Sequence, residues 1–546
     1  MTLHRELGIV EGRGSLTIFP ALLIFVAILF VAAFLRLHTQ HVSTRTPDEQ
    51  IYIADATRIA ASGVKAVSHL VSQYNQDRQF WVYPPPTRIG FTFVVAAAMK
   101  MTGGSAEHCA VWISFASSLV TVLLTGLLGW HVFSRWIGLI SMAFVSASPL
   151  DLTLARRAWQ DSFVAVLGLA LLCFCVGATT GRHRRLWLGA FWIVGLWFLL
   201  VKESALIIYF FLTLWLFLDA WRKERGWPSM IATAAVPALL VLLAFVALAW
   251  VSGGANQFLR VYPHMAQSVH WNDYVFSYQV GPWYSFPLGL WVLSPATVFL
   301  CACAIAFVFL RIDSLGVTLE LGNDALGVAI ALSLFLGAGL VAATLPEGYK
   351  CLRYVSVLQP VVDVLAAVFL IYLLRRLRAF LNLWPVWMAV GIVVVTLVCL
   401  ADYNRFQRYV VRGNLDDLAI IRVVDQAFVS DLKPSVSREI TAKEALEAGK
   451  LTGSFTETPE SLLALSVDFY GRGSYDESIA AAAKALQKRP DYAEAWNNIG
   501  AAYNALYRFA EGAQACEKAI ELKPDFPLAH RNLAFARKKL AEKNGR

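Results

Sequence analysis

The chain has 546 residues, of which 58% are hydrophobic and 16% charged, and its net charge is +9. Soluble globular proteins are about 45–50% apolar and about 25% charged, so this composition excludes an ordinary soluble enzyme and a disordered chain. Eight cysteines in this length, with no CxxC pair, are not typical of a disulfide-stapled secreted module or a thiolate zinc site. The composition is typical of a polytopic membrane protein.

Long apolar runs predict an all-α fold with about eleven transmembrane helices, since about 20 apolar residues are needed to span a bilayer. The first run has no small-x-small cleavage site after it and is too long for a signal peptide, which favours an uncleaved anchor. The predicted spans are 16–37, 106–133, 136–154, 161–179, 186–201, 203–221, 228–251, 288–311, 323–345, 354–374 and 384–401.

Three basic clusters, 182–185, 222–225 and 375–378, predict the orientation of the chain in an inner or plasma membrane. Loops rich in Lys and Arg are usually cytoplasmic, and with these spans all three clusters lie on the same side as the N-terminus. A full crossing by residues 86–102 would place all three clusters outside, so these residues are interpreted as a re-entrant or surface-lying helix. The N-terminus, residues 1–15, is then cytoplasmic. Everything after residue 401 is extracytoplasmic.

The tail after the predicted membrane domain, residues 16–401, is polar and rich in alanine. Residues 402–458 are interpreted as a linker. Beyond them ALQKRPDYAEAW (485–496) and AIELKPDFPLAH (519–530) are related by 34 residues, the period of tetratricopeptide (TPR) repeats. The predicted α-helical solenoid comprises repeats 459–492 and 493–526 and a capping helix 527–541. Such repeats typically bind a protein partner in their concave face.

The first outer loop, residues 38–105, contains an acidic pair directly after the first span. Thr46 and Glu49 have the spacing of a capping box, Pro47 suits the first helical position, and Gly63 suits a helix end. Asp48 and its neighbour Glu49 are equally candidate catalytic carboxylates, because an acid at the bilayer surface can accept a proton from a hydroxyl.

Other ionisable residues cluster at predicted outer helix ends. Arg156 and Asp161 flank a short break between spans, where charged residues ordinarily mark helix ends but can also bind an anion or support catalysis. Lys202 and Glu203 lie between two apolar runs. They indicate either a tight turn or a functional intramembrane ion pair, since buried unpaired charges are costly.

A late outer segment carries Lys350, Arg353 and Tyr354 on the side where basic residues are disfavoured. Two cations there favour an anionic partner, and phosphate suits the geometry of arginine. His264, His270 and Asp273, in the aromatic loop 252–287, match no standard metal motif. No metal is predicted to be required, although a divalent ion stays an unsupported option.

Four motifs occur in order along the chain: PDE (47–49), YPPP (83–86), SP…ARRAWQD (148–161) and KxxRY…P (350–360). This set resembles the GT-C glycosyltransferases of the protein O-mannosyltransferase and aminoarabinose-transferase group, over roughly residues 15–400. The resemblance implies transfer of a sugar from a polyprenyl-phosphate carrier to an acceptor on the outer face, with inversion.

The resemblance also implies roles for individual residues. Asp48 is the implied base, with Glu49 beside it, while Arg156 and Asp161 match a second-loop pattern. Arg353 and Tyr354 match the motif near the carrier phosphate, where Lys350 and Lys202 would add positive charge.

The chain departs from the family at three points. Gln160 stands where the family has a proline, and loop 252–287 is too short for the β-trefoil of eukaryotic protein mannosyltransferases. The tail is similar to that of TPR-bearing O-mannosyltransferases but much shorter. The sequence leaves open whether the sugar is a hexose or pentose, and whether the acceptor is a protein, a lipid A-like lipid or a glycan. The TPR tail favours protein glycosylation.

Two other classes of function are compatible with the composition. A lipid or glycan transporter would also use outer charges and aromatic loops, but the internal symmetry typical of transporters is not visible in the sequence. A multi-span scaffold that presents TPRs would explain the tail and not the polar series between Asp48 and Glu203. Nucleic-acid binding is excluded because no soluble basic face is present.

Overall fold

The computed structural model describes residues 18–38, 45–268, 279, 281–310, 323–345, 350–381, 384–412, 415, 418–428, 458–471 and 475–544. Within these ranges the regular elements are helices, apart from one isolated antiparallel bridge between Cys351 and Ala419. The predicted all-α fold is therefore confirmed. The N-terminal residues 1–15 and much of the predicted linker lie outside the described ranges.

The chain divides into two compact units, residues 1–40 with 59–430 and residues 41–58 with 431–546. The described helices of the first unit follow one another in chain order. They are α1 (Ile18–His38), the end of α2 (Pro47–Ser62), α3 (Lys65–Gln76), α4 (Ile89–Thr102), α5 (Ala106–Val132), α6 (Arg135–Ala147), α7 (Pro149–Ala155), α8 (Asp161–Thr180), α9 (Arg184–Leu199), α10 (Ala205–Arg222), α11 (Gly226–Val251), α12 (Ala255–Ser268), α13 (Ser285–Leu293), α14 (Pro295–Leu310), α15 (Asn323–Thr344), α16 (Gln359–Leu381), α17 (Trp384–Arg405) and α18 (Ile420–Phe428).

Seven helices in the described part are long and apolar enough to cross a membrane, or eight if the bent pair α6 and α7 is one span. With the apolar composition, these helices make the chain an integral membrane protein. The other three predicted spans, 186–201, 288–311 and 354–374, also form helices, but these helices do not meet the same test of length and apolarity. The number eleven therefore stays a prediction.

Proline residues break two of the predicted spans. The run 136–154 bends by 60° between α6 and α7, where Pro149 follows Ser148. The run 288–311 is interrupted at Ser294, before Pro295. Proline lacks an N–H donor and its ring clashes with the carbonyl four residues earlier, so a helix ordinarily stops or kinks there.

The helix α4 is too short for an ordinary span. Its 14 residues rise by about 21 Å at 1.5 Å per residue, less than the hydrocarbon thickness of about 30 Å. This length agrees with the re-entrant or surface-lying helix predicted for 86–102, whose position in the membrane stays a prediction.

Close packing joins α1, α5 and α6, and glycines allow the closest approach, between α5 and α6. Ala32, Val122 and Met142 are buried together. A Cβ atom on Gly129 would lie 2.9 Å from the Cα of Gly138, so only glycine allows the backbones of α5 and α6 to approach this closely.

The second unit contains helices that pair along the chain: α19 (Pro459–Gly471), α20 (Tyr475–Lys488), α21 (Ala493–Ala505), α22 (Phe509–Leu522) and α23 (Pro527–Asn544). Alanines such as Ala485 and Ala495 pack with Leu462 and Ile499 in their core. The first helices of successive pairs begin at residues 459, 493 and 527, which is 34 residues apart. The spacing matches the predicted period, while the TPR assignment itself stays a prediction.

Candidate functional site

A buried ion pair lies where three distant segments of the first unit meet. Asp161 begins α8, directly after the turn 156–160, and Lys202 lies in the tight turn between α9 and α10. The Nζ of Lys202 donates to Oδ1 of Asp161 at 2.7 Å, and both side chains are less than 8% exposed. The hydroxyl of Ser356 donates to the Asp161 carbonyl at 3.4 Å, which joins the third segment to the pair.

Two aromatic rings hold cations around this ion pair. The guanidinium carbon of Arg353 lies 4.5 Å from the ring centroid of Trp159, and that of Arg157 lies 4.9 Å from the same ring. The ring of Tyr354 lies 4.0 Å from the Nζ of Lys202 and 5.2 Å from the guanidinium of Arg353. We call Arg157, Trp159, Asp161, Lys202, Arg353 and Tyr354 the basic–aromatic cluster.

The cluster is a crowded cationic environment. Trp159 and Arg157 are fully buried, and Arg353 is 7% exposed. Burial lowers the pKa of the Lys202 ammonium, Asp161 opposes this effect, and the charges of Arg88 and Arg353 lower the pKa further. Positive charge concentrated in a low-dielectric site attracts anions strongly, so the cluster is chemically suited to bind a phosphate group.

Lys202 and Glu203 adopt the tight turn rather than pairing with each other. Glu203 forms its ion pair with Arg88, whose Nη2 lies 2.9 Å from Oε2. Lys202 and Glu203 are adjacent in the turn, and each of them pairs with a residue from another segment. Sequence inspection counted Arg88 only as a charge within 86–102 and missed this contact.

Arg156 occupies the turn after α7, and its guanidinium carbon lies 5.8 Å from the ring centroid of Phe406. It is 4% exposed. The predicted joint role of Arg156 and Asp161 in binding an anion stays a prediction.

Lys350 is anchored before the segment that carries Arg353. Its Nζ donates to the carbonyl oxygen of Gly281, and its backbone N–H donates to the carbonyl of Gln279 at 2.8 Å. Its own carbonyl accepts from the N–H of Ile420 at 3.0 Å. This pairing fixes the start of the 3₁₀ helix Leu352–Val355, on which Arg353 and Tyr354 lie.

The acidic pair after the first span belongs to the second unit. Glu49 is fully buried and accepts from the N–H of Thr46 at 2.7 Å and from Nη1 of Arg45 at 3.2 Å. The predicted capping contact is confirmed, and the N–H of Gly63 (φ 68°) donates to the Ile59 carbonyl at 2.8 Å to end the helix. Glu49 therefore helps to cap α2, while Asp48 is half-buried beside it.

Sequence inspection missed Asp55, which lies two turns after Asp48 and hence on the same helix face. Burial raises the pKa of the Asp55 carboxyl from 3.8 to about 7, although Arg58 opposes the shift. A carboxyl with a pKa near neutrality is well suited to transfer protons. The spacing of seven residues between the two acids was the signal that could have identified it.

A second buried ion pair, between Arg36 of α1 and Asp151 of α7, was also missed. The Nε of Arg36 donates to Oγ of Ser118 at 2.6 Å, and the same hydroxyl donates to Asp151. Both charges are inside apolar runs, so no pattern in the sequence indicated that they meet. Their contact joins α1, α5 and α7.

No group of three His, Cys, Asp or Glu residues able to hold a metal occurs among the residues that the structure describes. The imidazole of His264 stacks on the indole of Trp81, with their ring centroids 3.8 Å apart. His270 and Asp273 lie outside the described residues.

The sequence matches no protein-family model and no curated protein. Among solved structures, ArnT from Cupriavidus metallidurans is 16% identical, with a TM-score of 0.47, over 95% of this chain and 84% of that protein. A second ArnT structure, bound to undecaprenyl phosphate, gives the same identity and TM-score over 94% of this chain and 84% of that one.

The archaeal oligosaccharyltransferase AglB from Archaeoglobus fulgidus, in complex with an inhibitory peptide and a dolichol-phosphate, is also similar. It is 11% identical, with a TM-score of 0.47, over 80% of this chain and 60% of AglB. These likenesses are distant, so function is inferred below from the residues of this chain.

Proposed function

We propose that this protein is a membrane glycosyltransferase that transfers a hexosyl or pentosyl group from a polyprenyl-phosphate carrier to an acceptor on the extracytoplasmic face. The observation that carries the proposal is the basic–aromatic cluster, in which buried cations are held by aromatic rings at the ends of apolar helices. A lipid phosphate is an anion that reaches such a place from within the bilayer.

In this proposal Arg353 and Lys202 bind the carrier phosphate. The guanidinium of Arg353 lies over the ring of Trp159, which restricts its position, and the planar fork of arginine is suited to phosphate oxygens. Arg156 and Lys350 lie close in sequence to Asp161 and Arg353, and they add positive charge to the segments that carry those two residues. Asp161 positions Lys202 through their ion pair, and Tyr354 holds both cations.

The reaction proposed is a single displacement with inversion. The acceptor oxygen forms a bond to the anomeric carbon while the bond between that carbon and the phosphate oxygen breaks. The acceptor proton passes to a carboxylate, for which we propose Asp48, and the electron pair leaves with the phosphate. Cations that stabilise the charge developing on the phosphate lower the barrier, so the reaction has no strict need for a metal.

Asp55 is a second candidate for the proton acceptor. Its raised pKa of about 7 is better matched to proton transfer near neutrality than an ordinary carboxyl. The two acids share one face of α2, so separate substitutions are needed to assign the role.

The test is a transfer assay with purified protein in detergent, radiolabelled polyprenyl-phosphate sugars of several kinds and a crude envelope acceptor. Label transferred by the wild type and not by Asp48→Asn would support the proposed base. Asp77→Asn is the matched control, because Asp77 belongs to the same predicted loop and its capping oxygen is retained in asparagine. Full activity of Asp48→Asn would contradict the role of Asp48.

Binding of the donor tests the phosphate site independently of the acceptor. Arg353→Ala should weaken binding of radiolabelled polyprenyl-phosphate sugar, whereas Arg375→Ala, at an exposed position of another segment, should not. If none of the tested donors binds to the wild type, the glycosyltransferase proposal is overturned.

We further propose that the helical repeats of the tail lie outside the cytoplasm and bind a protein acceptor or partner. Deletion of residues 459–546 distinguishes this enzyme from a scaffold. An enzyme should keep donor binding and transfer to a small acceptor after the deletion. A scaffold would lose all function while its membrane unit remained folded.

A further inference from the structure

The opposite end of α10 carries a second concentration of positive charge that the proposed reaction does not use. Asp219, near the end of α10, is 5% exposed and faces cations from two segments. Lys223 lies 2.8 Å from it, Arg225 3.6 Å and Arg184 3.7 Å, and the largely exposed Arg222 lies 4.0 Å away.

The cations in this group outnumber the carboxylates. Four basic side chains surround one buried carboxylate, and Glu224 in the same turn adds only one more acid. The pKa of the Arg184 guanidinium is lowered by its burial and by the nearby charge of Arg225. The group therefore retains a positive charge that an additional anion would offset.

An apolar groove begins close to these cations. It has a volume of about 500 Å³ and lies between α10 and α11, lined by residues that include Phe217, Thr233, Ala234, Pro237 and Ala238. The two features are continuous along α11. Arg184 donates to the hydroxyl of Ser229 at 3.1 Å, and Thr233, one turn later, donates to the Ser229 carbonyl at 3.0 Å.

The groove has dimensions suited to a hydrocarbon chain. Its lining on α10 extends from Leu206 to Phe217, which is about 16 Å at 1.5 Å per residue. Several of its alanines and leucines are exposed, as expected for a surface that faces lipid. A groove that ends at a cationic group matches the shape of a phospholipid, with its chain in the groove and its phosphate at the cations.

We propose that the turn between α10 and α11 binds the headgroup of an anionic glycerophospholipid, one of whose acyl chains occupies the groove. Basic pockets between transmembrane helices are suited to anionic headgroups. The positive-inside rule places this end of the helices in the cytoplasm, where the site would be separate from the proposed reaction on the outer face.

The test measures lipid binding to the full-length protein by native mass spectrometry and thermal unfolding in a neutral detergent. Phosphatidylglycerol should bind and raise the unfolding temperature, and phosphatidylcholine with the same acyl chains should not. Arg222→Ala with Arg225→Ala should weaken phosphatidylglycerol binding by about tenfold or more. The matched double variant Arg375→Ala with Arg376→Ala removes the same charge elsewhere and should bind normally.

The groove is tested separately by Ala234→Phe, which places a large side chain in it. The matched control is Ala235→Phe, because Ala235 is exposed on the same helix and does not line the groove. Only the first variant should lose the bound lipid. If the double arginine variant fails to fold, the single change Arg222→Gln, at a side chain that is 73% exposed, serves instead.

Three results would overturn the proposal. Equal binding of phosphatidylcholine would show that the headgroup charge is not recognised. Equal protection by inorganic phosphate or glycerol phosphate would show that the cations bind a free anion and that the groove contributes nothing. Unchanged binding in both the arginine and the Ala234→Phe variants would place the lipid elsewhere.

Discussion

Trp159 and Tyr354 organise the cations of the basic–aromatic cluster. A cation over an aromatic face gains electrostatic stabilisation without neutralisation of its charge, so the ring of Trp159 does not cancel the positive charge of Arg353. The ion pair of Lys202 with Asp161 differs in kind, because it satisfies a charge that burial would otherwise make costly.

Removal of one partner of that pair should be destabilising. Lys202→Met leaves Asp161 buried without its cation, and breaking a buried pair typically costs about 3–5 kcal/mol. The double variant Lys202→Met with Asp161→Leu removes both charges and should recover most of the loss. Unfolding in detergent, followed by tryptophan fluorescence, measures both effects.

The control for this prediction is Lys65→Met, at an exposed lysine of α3, which should leave stability nearly unchanged. A Lys202→Met variant as stable as the wild type would show that the Asp161 carboxylate is not dependent on Lys202.

The raised pKa of Asp55 leads us to expect that the stability of the protein depends on pH. Its carboxyl has a pKa of 3.8 in its ordinary state and about 7 in the folded protein, so the folded state binds more protons between these values. The contribution of Asp55 to the free energy of unfolding is therefore fully present below pH 3.8, and it is lost as the pH rises through about 7. Asp55→Asn, which is neutral throughout, should lose this dependence.

The measurement compares thermal unfolding at about pH 5 and about pH 8. The stability of the wild type relative to Asp55→Asn should fall over this interval by a few kcal/mol, at about 1.36 kcal/mol for each unit of pKa difference. Asp77→Asn should behave as the wild type does. A parallel pH response of wild type and Asp55→Asn would contradict the prediction.

At the scale of elements, helix ends and breaks follow from local chemistry. The cap of α2 and its glycine end were visible in the sequence because capping depends on residues only a few positions apart. The breaks before Pro149 and Pro295 were also encoded locally. Long apolar runs nevertheless made each of those segments resemble one continuous span.

A substitution at Gly63 tests how the backbone conformation of this glycine ends α2. Its φ of 68° is a conformation that L-residues adopt at a cost, and an added Cβ would meet no atom within 4 Å. Gly63→Ala should therefore destabilise the protein by about 1 kcal/mol through backbone strain alone. Chemical unfolding measures this difference.

Gly189 provides the matched control, since it lies inside α9 and a Cβ added there would also meet no atom within 4 Å. Because alanine favours helices over glycine, Gly189→Ala should leave stability unchanged or raise it by up to about 1 kcal/mol. Equal effects of the two substitutions would show that φ at Gly63 imposes no strain.

At the scale of the whole molecule, the predicted orientation can be measured directly. The predicted eleven crossings and cytoplasmic N-terminus would place the C-terminus outside, so alkaline phosphatase fused after residue 546 should be active. A fusion in the turn 222–226 should be inactive, because that turn carries a basic cluster and is predicted to be cytoplasmic. An inactive C-terminal fusion with stable expression would require an even number of crossings.

The sequence by itself determined the features that depend on composition and short-range pattern. Apolar runs determined an all-α membrane protein, and the spacing of Thr46, Glu49 and Gly63 determined the cap and end of α2. The 34-residue period predicted where the helix pairs of the tail begin. The helical runs and the cap are local features, since backbone hydrogen bonds and side-chain periodicity act over a few residues, and the repeat is visible because the same local pattern recurs.

The tertiary structure alone decided which charges meet. Lys202 pairs with Asp161, 41 residues away, rather than with its neighbour, and Arg36 pairs with Asp151, 115 residues away. The basic clusters 182–185 and 222–225 indicated topology only, yet cations from both surround Asp219. The cost of burying a charge makes pairing necessary, but helix packing selects the partner.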